Sequence, residues 1–311
     1  MNFSQRIIFM GTPGLAVPYL KSLLDNNFNV VAVYTQPPRP RDRGMEIKPS
    51  PIQVIAEINQ IPLYIPSSLN SSEEINKFKH LKSDLVVVMG YGIFLPKSFL
   101  EVPIFGCINV HLSLLPKWRG ASPVEYSLLS GESETGVTIF KLNNKLDSGP
   151  IIASKKCEIT DSITKIQLQE KLNNIGSKLL IETLPYYFSE KFELKSQDNS
   201  KATYASKINS SDTKINFYDN SLEIYNKIRA FSPKPGAWFT YKNERIKILS
   251  CSIESNKGTS SVILSKDFII GCNDQSIKPI IVQREGKNIM NIEEFLKGFS
   301  FNVGEKVNLN A

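Results

Sequence analysis

Residues 6–35 read RIIFMGTPGLAVPYLKSLLDNNFNVVAVYT. Arg6 to Gly11 is a short apolar run too continuous for a strand with one wet face, and Asn29 to Thr35 is a second. Between them Thr12 and Pro13 interrupt the chain, after which Val17, Leu20, Leu23 and Leu24 recur at helical spacing. Strand, glycine turn, helix and strand within about 30 residues make a βαβ unit, and its crossover predicts a parallel sheet. Gly11 and Gly14 do not form a dinucleotide fingerprint. Their order is G-x-x-G with Pro13 inside it, and Thr35 and Gln36 stand where an acid would hold a ribose. A nicotinamide site is therefore not expected.

The alternation continues downstream. A helix is predicted from Ile52 to about Asn59, a short strand over 62–65, and a helix from Ser72 to Leu81 with Glu73 and Glu74 in its first turn. His80, at the far end of that helix, reads as an exposed residue. Asp84 to Met89 (DLVVVM) is a buried strand ending in Gly90-Tyr91-Gly92. Glycines on both sides of Tyr91 let the backbone pass close to a ligand while the ring forms a wall. Gly106 to Gly120, GCINVHLSLLPKWRG, begins as another buried strand into which Asn109 and His111 intrude. A spacing of two puts both side chains on one face of a strand. A further strand, Gly136 to Leu142, leads into a polar turn carrying Asp147. Ile151 to Ile159 continues as a strand, and Ile163 to Phe188 as a long helix.

The chain has 311 residues, enough for two domains. The fold class expected is α/β: a Rossmann-like, mostly parallel sheet domain followed by a small β-barrel (OB-like) C-terminal domain. The boundaries expected are 1–189 for the catalytic domain, a polar linker at 190–207, and 208–311 for a unit of short strands separated by Gly, Asn and Lys turns. No apolar run approaches the roughly 18–20 residues of a membrane span. The first strand begins close to Met1, so no targeting segment is expected, and a cytoplasmic, monomeric protein is. Four cysteines lie far apart without a C-x-x-C pair and read as buried thiols rather than zinc ligands. The formal charge of +7 is spread over both halves and favours a polyanionic partner only weakly. Gln36 to Pro51 is too rich in Pro, Gly and charge for either neighbouring element. Its Arg39, Arg41, Arg43 and Lys48 read either as a solvated loop or as a phosphate contact.

An Asn and a His at the end of a strand suit acyl transfer to an amine. Asn109 can donate to a carbonyl oxygen that gains charge, His111 can do so or move a proton, and Asp147 can hold the histidine. No nucleophile and no metal is required.

Five stretches together, GTP-x-x-A at 11–16, YG at 91–92, INVHxSLLPxWRG at 108–120, ETGVTI at 134–139 and LDSG at 146–149, resemble the folate-dependent formyltransferases. TYASK at 203–207 and IRAFSPKPGAW at 228–238 resemble the branch acting on charged tRNA. The resemblance spans nearly the whole chain. It implies that 10-formyltetrahydrofolate donates a formyl group to the α-amine of methionine on initiator tRNA, without a metal. It further implies Asn109, His111 and Asp147 as the catalytic trio, and Tyr91, Gly92, Ser113, Leu114, Leu115 and Pro116 on the folate side. The basic loop would touch the acceptor stem through Arg39, Arg41, Arg43 and Lys48, and residues 208–311 would bind tRNA. Leu15 departs from the family's usual Phe, and Leu112 from a common Gly, so the loop here does not rely on glycine-only backbone angles. The same chemistry on a small amine, hydrolysis of the formyl folate, and a non-enzymatic RNA-binding module are the rival readings. A small substrate gives no reason for residues 208–311, and an intact trio argues against a non-enzyme.

Overall fold

The computed structural model describes residues 3–41, 46–189 and 193–308. Contacts divide the chain into two compact units, one of residues 1–120, 135–157 and 169–204, the other of residues 121–134, 158–168 and 205–311.

In the first unit the elements run β1 (Ile7–Gly11), α1 (Val17–Asp25), β2 (Val30–Tyr34), β3 (Arg39–Arg41), β4 (Glu46–Lys48), α2 (Pro51–Ile58), β5 (Leu63–Tyr64), α3 (Ser72–His80), β6 (Leu85–Met89), α4 (Lys97–Leu100) and β7 (Cys107–His111). After α5 (Pro123–Leu129), which belongs to the other unit, come β8 (Glu134–Lys141), β9 (Ile151–Glu158) and α6 (Lys165–Phe188). Seven strands form one sheet in the order β9-β8-β7-β6-β1-β2-β5. The pairs from β7 through β6, β1 and β2 to β5 are parallel, and β8 runs antiparallel to β7. This is the mostly parallel, Rossmann-like sheet expected. Its centre is dry because β1 and β6 are buried along their whole lengths, as a sheet covered on both faces requires. Alternate residues Ile8 and Met10, Ala32 and Tyr34, and Val86 and Val88 pack with Phe78 of α3 and Phe99 of α4 into one core cluster. Helix starts follow local chemistry. Ser50 caps α2 by accepting from the Gln53 N–H with Pro51 behind it, and Ser71, one residue before the expected start, caps α3. His80 is exposed at the end of α3, its Nδ1 2.7 Å from the Asn76 carbonyl.

The basic segment forms a two-stranded sheet of its own, β3 against β4, with Arg39 opposite Lys48 and Arg41 opposite Glu46 in backbone register. Lys48 is exposed. Arg43 lies outside the described residues.

The second unit holds α7 (Ser221–Phe231), β10 (Ala237–Tyr241), β11 (Glu244–Glu254), β12 (Ile270–Gly271), β13 (Ser276–Arg284), β14 (Ile289–Asn291) and α8 (Ile292–Lys297). The strands form an antiparallel sheet in the order β10-β11-β13-β12, with β14 paired to β13. Residues 261–264 make only isolated bridges, Val262 to Lys306 and Ile263 to Ile270. Phe268 sits among Phe239, Tyr241, Phe295, Phe299 and Phe301 in mostly edge-on contacts. Segments from earlier in the chain are bound into this unit: Lys165 pairs with Glu125 at 2.7 Å, Tyr126 shares a hydrogen bond with Ser206, and Arg229 donates to the Thr160 carbonyl. All four cysteines are buried and reduced, and burial pushes the Cys107 thiol up to about 12. No described helix is long and apolar enough to cross a membrane.

Candidate active site

β7 carries the two polar residues that its apolar neighbours make conspicuous. Asn109 lies between Val88 of β6 and Phe140 of β8, and His111 lies opposite Thr138. The side-chain amide of Asn109 is half-buried and makes no hydrogen bond among the described residues, so it is available to a polar ligand. His111 is buried, with its ring edge-on to Phe140 at 6.4 Å between centroids. Its Nε2 lies 2.8 Å from the Trp118 carbonyl oxygen. A carbonyl only accepts, so Nε2 carries hydrogen, and in the neutral ring the lone pair falls on Nδ1. That nitrogen faces Asp147 Oδ2 at 3.9 Å, beyond hydrogen-bond length.

Asp147 reaches this position by a long return. Leu142, just past β8, donates to the Cys107 carbonyl at the start of β7, whereas Asp147 meets His111 at its end. The turn thus covers the length of β7, roughly 13 Å at the usual strand rise. Asp147 sits at φ +44°, a conformation Asp and Asn tolerate better than other side chains, and its Oδ2 accepts from the Gly120 N–H at 2.8 Å. Gly149 allows the return, because a Cβ there would overlap the Lys141 carbonyl oxygen.

The loop after β7 is pinned from both sides. Thr138 of β8 donates to the Ser113 carbonyl at 2.7 Å and accepts from the Leu115 N–H at 3.1 Å, while Ser113 donates to the Lys117 carbonyl. Thr203 accepts from the Trp118 N–H through its hydroxyl and from the Arg119 N–H through its carbonyl. Trp118 is held at φ +59°, an unusual position for so large a residue, and this aims its carbonyl at His111. Leu112 is buried and is not among the residues at positive φ, so the family's usual glycine is not needed for this backbone. Leu115 is largely buried, and Leu114 and Pro116 are half-buried.

The turn after β6 presents its backbone rather than an aromatic wall. Tyr91 is only 1% exposed and belongs to the core cluster beneath the sheet, its hydroxyl without a partner among the described residues. The ring goes inward because the apolar face of the turn meets Tyr34, Phe78 and Phe99. Its carbonyl accepts from Thr12 Oγ1 at 3.0 Å and Gln36 Nε2 at 2.7 Å, so the residue found in place of a ribose-binding acid holds this turn. Gly92 sits at φ +78°, where a Cβ would strike Gln36. Leu15 packs beneath Gly90.

Three residues that sequence reasoning left in the linker serve the site. Gln197 donates through Nε2 to the carbonyls of Asp147 (2.9 Å) and Gly149 (2.7 Å), and its Oε1 accepts from Arg119. Asn199 also accepts from Arg119, and Thr203 holds the Trp118 turn. Gln197→Ala and Gln197→Glu, which both lack these two donors, should each lower kcat by roughly 10- to 100-fold through displacement of Asp147, on the scale of small misplacements at reacting groups. An unchanged kcat in Gln197→Glu would show the donors to be idle. Among the described residues no group of three or more His, Cys, Asp and Glu could hold a metal ion.

The α/β sheet brings Asp147 to His111 at the end of β7, and comparison with known proteins shows the chain to be a formyltransferase. A formyl transferase model matches residues 5–184 and a formyl transferase C-terminal domain model residues 207–300. The methionyl-tRNA formyltransferase of Pelagibacter ubique is 42% identical over 306 residues, 98% of this chain and 99% of its own. That of Kosmotoga olearia is 37% identical, over 97% of this chain and 99% of its own. The chain belongs to the methionyl-tRNA formyltransferase family. Two solved structures share the fold. HypX from Aquifex aeolicus in complex with tetrahydrofolic acid has TM-score 0.66 and 16% identity over 95% of this chain and 48% of that one. The N-formyltransferase from Helicobacter canadensis with folinic acid and dTDP-3-aminofucose has TM-score 0.66 and 22% identity over 90% and 99%.

Proposed function

We infer that this enzyme transfers the formyl group of 10-formyltetrahydrofolate to the α-amino group of methionyl-initiator tRNA. Full-length similarity to methionyl-tRNA formyltransferases supports the substrates, and the observation that carries the chemistry is the His111 ring, tied at Nε2 and free at Nδ1 toward Asp147. Asn109 donates its unengaged amide to the formyl oxygen as the amine adds and charge gathers there. His111 takes the proton released by the attacking nitrogen on Nδ1 and supplies one to the departing folate nitrogen, while Asp147 stabilises the imidazolium between the two transfers. The bond from formyl carbon to folate nitrogen breaks and the bond to the methionine nitrogen forms, with no net change in protons on the enzyme. The backbone of Tyr91 and Gly92, with Ser113, Leu114, Leu115 and Pro116, lines the folate side. Arg39, Arg41, Arg43 and Lys48 reach the acceptor stem. Residues 1–189 carry catalysis, 190–207 link while holding the Asp147 and Trp118 turns, and 208–311 bind tRNA, in a cytoplasmic monomer.

Purified protein with 10-formyltetrahydrofolate should formylate methionyl-initiator tRNA and discriminate against charged elongator tRNA. Release of formate at an equal rate without tRNA would instead make it a formyl-folate hydrolase.

A further inference from the structure

Behind the Asp147 turn lies a cavity of about 570 Å³ lined by Arg119, Asn143, Lys145, Ser148, Asn199 and Tyr204, among others. Arg119 is 3% exposed, yet its partners are the amide oxygens of Gln197 and Asn199 and no carboxylate among the described residues. Its Nη1 makes no hydrogen bond among the described residues, although the residue lines the cavity. A buried guanidinium without a counter-charge is costly unless a ligand supplies one. Lys145 adds a second cation, and among the described residues no acid lines the cavity. Opposite these charges Tyr204 is 60% exposed, a large ring left open to solvent. Cations, amide side chains and an open aromatic face are what a nucleotide needs: oxyanion, base edge and stacking plane.

Position decides which nucleotide. Leu146 and Ser148 line the cavity, and the carboxylate of Asp147 between them faces His111. The cavity therefore adjoins the turn whose carboxylate faces the catalytic histidine. We propose that the cavity receives the 3′-terminal nucleotide of the charged tRNA, with its phosphate against Arg119 and Lys145 and its base against Tyr204. The proposal rests on the tRNA reading above and adds a subsite to it.

Tyr204→Ala and Lys145→Ala test it, since neither residue belongs to the Asn109, His111 and Asp147 set. Each should raise KM for methionyl-tRNA roughly tenfold, the scale of one lost base stack, and leave KM for 10-formyltetrahydrofolate unchanged. Lys145→Ala should also flatten the dependence of log K on log salt by about one. A rise in the folate KM with the tRNA KM unchanged would assign the cavity to the carboxylates of the folate and overturn the proposal, as would no change in either. Adenosine 5′-monophosphate, titrated by calorimetry, reads the subsite independently of turnover: it should bind the wild type and bind both variants about tenfold more weakly. Equal binding overturns the subsite. If the wild type binds the nucleotide in this way but formylates no tRNA, the functional reading fails and the subsite stands.

Discussion

His111→Ala should lose formyl transfer by roughly 10²- to 10⁴-fold in kcat, the range for removal of a positioned proton-transfer group. Binding of methionyl-tRNA, measured by filter retention, should be unchanged, because the ring is buried and faces the turn rather than the surface. The effect is this large because no second group stands in for it. The other histidine, His80, is exposed at the end of α3, and Cys107, on the same strand, is a buried thiol held neutral. Asp147→Asn separates charge from shape: asparagine tolerates the positive φ and can accept from Gly120 through its amide oxygen, but it cannot stabilise an imidazolium. Its loss should fall between the wild type and His111→Ala, and full activity in Asp147→Asn would remove the carboxylate from the mechanism. If His111→Ala kept a normal rate, the proton path through Nδ1 would be wrong.

Gly149→Ala should be nearly as damaging, from a position that touches no substrate. The added methyl would overlap a backbone oxygen of Lys141, which cannot swing aside as a side chain can, because Lys141 is itself paired to the Pro150 carbonyl. Relief requires the return over β7 to open, and that withdraws Asp147 from His111. The expected result is a kcat loss approaching that of His111→Ala, together with a thermal midpoint lower by several degrees, as overpacking of about 1–3 kcal/mol implies. Gly14→Ala is the control. A Cβ there meets nothing within 4 Å, and its midpoint should stay at the wild-type value.

Much of this was legible in the chain. β1, β2 and β6 announced themselves because strands buried on both faces must be apolar throughout, and Asn109 and His111 stood out because a period of two places two polar groups on one face of such a strand. What escaped was set by distance and by partners. Gln197 holds Asp147 across 50 positions and Arg119 across 78, and Thr203 holds Trp118 across 85, from a polar stretch with no periodicity. The glycines around Tyr91 marked a turn that needs them, yet the destination of the ring depended on the core below and not on its neighbours in sequence. The β3–β4 hairpin was hidden by its prolines and charges, since two three-residue strands leave too few positions for a pattern to show.

The two compact units interleave along the chain, which enters the second at 121, leaves it at 135, and does so again at 158 and 169 before the final passage at 205. A single protease cut near 193–196 would therefore yield fragments that do not part: α5 in the first remains packed on α7 in the second, tied by Tyr126 to Ser206 and by Arg229 to Thr160. Such a nicked protein should elute as one species, and expressing residues 1–189 alone would strand α5 without its partner. Gene fusion at the polar stretch could not have added the C-terminal unit as a finished module, because part of its core is encoded inside the first half.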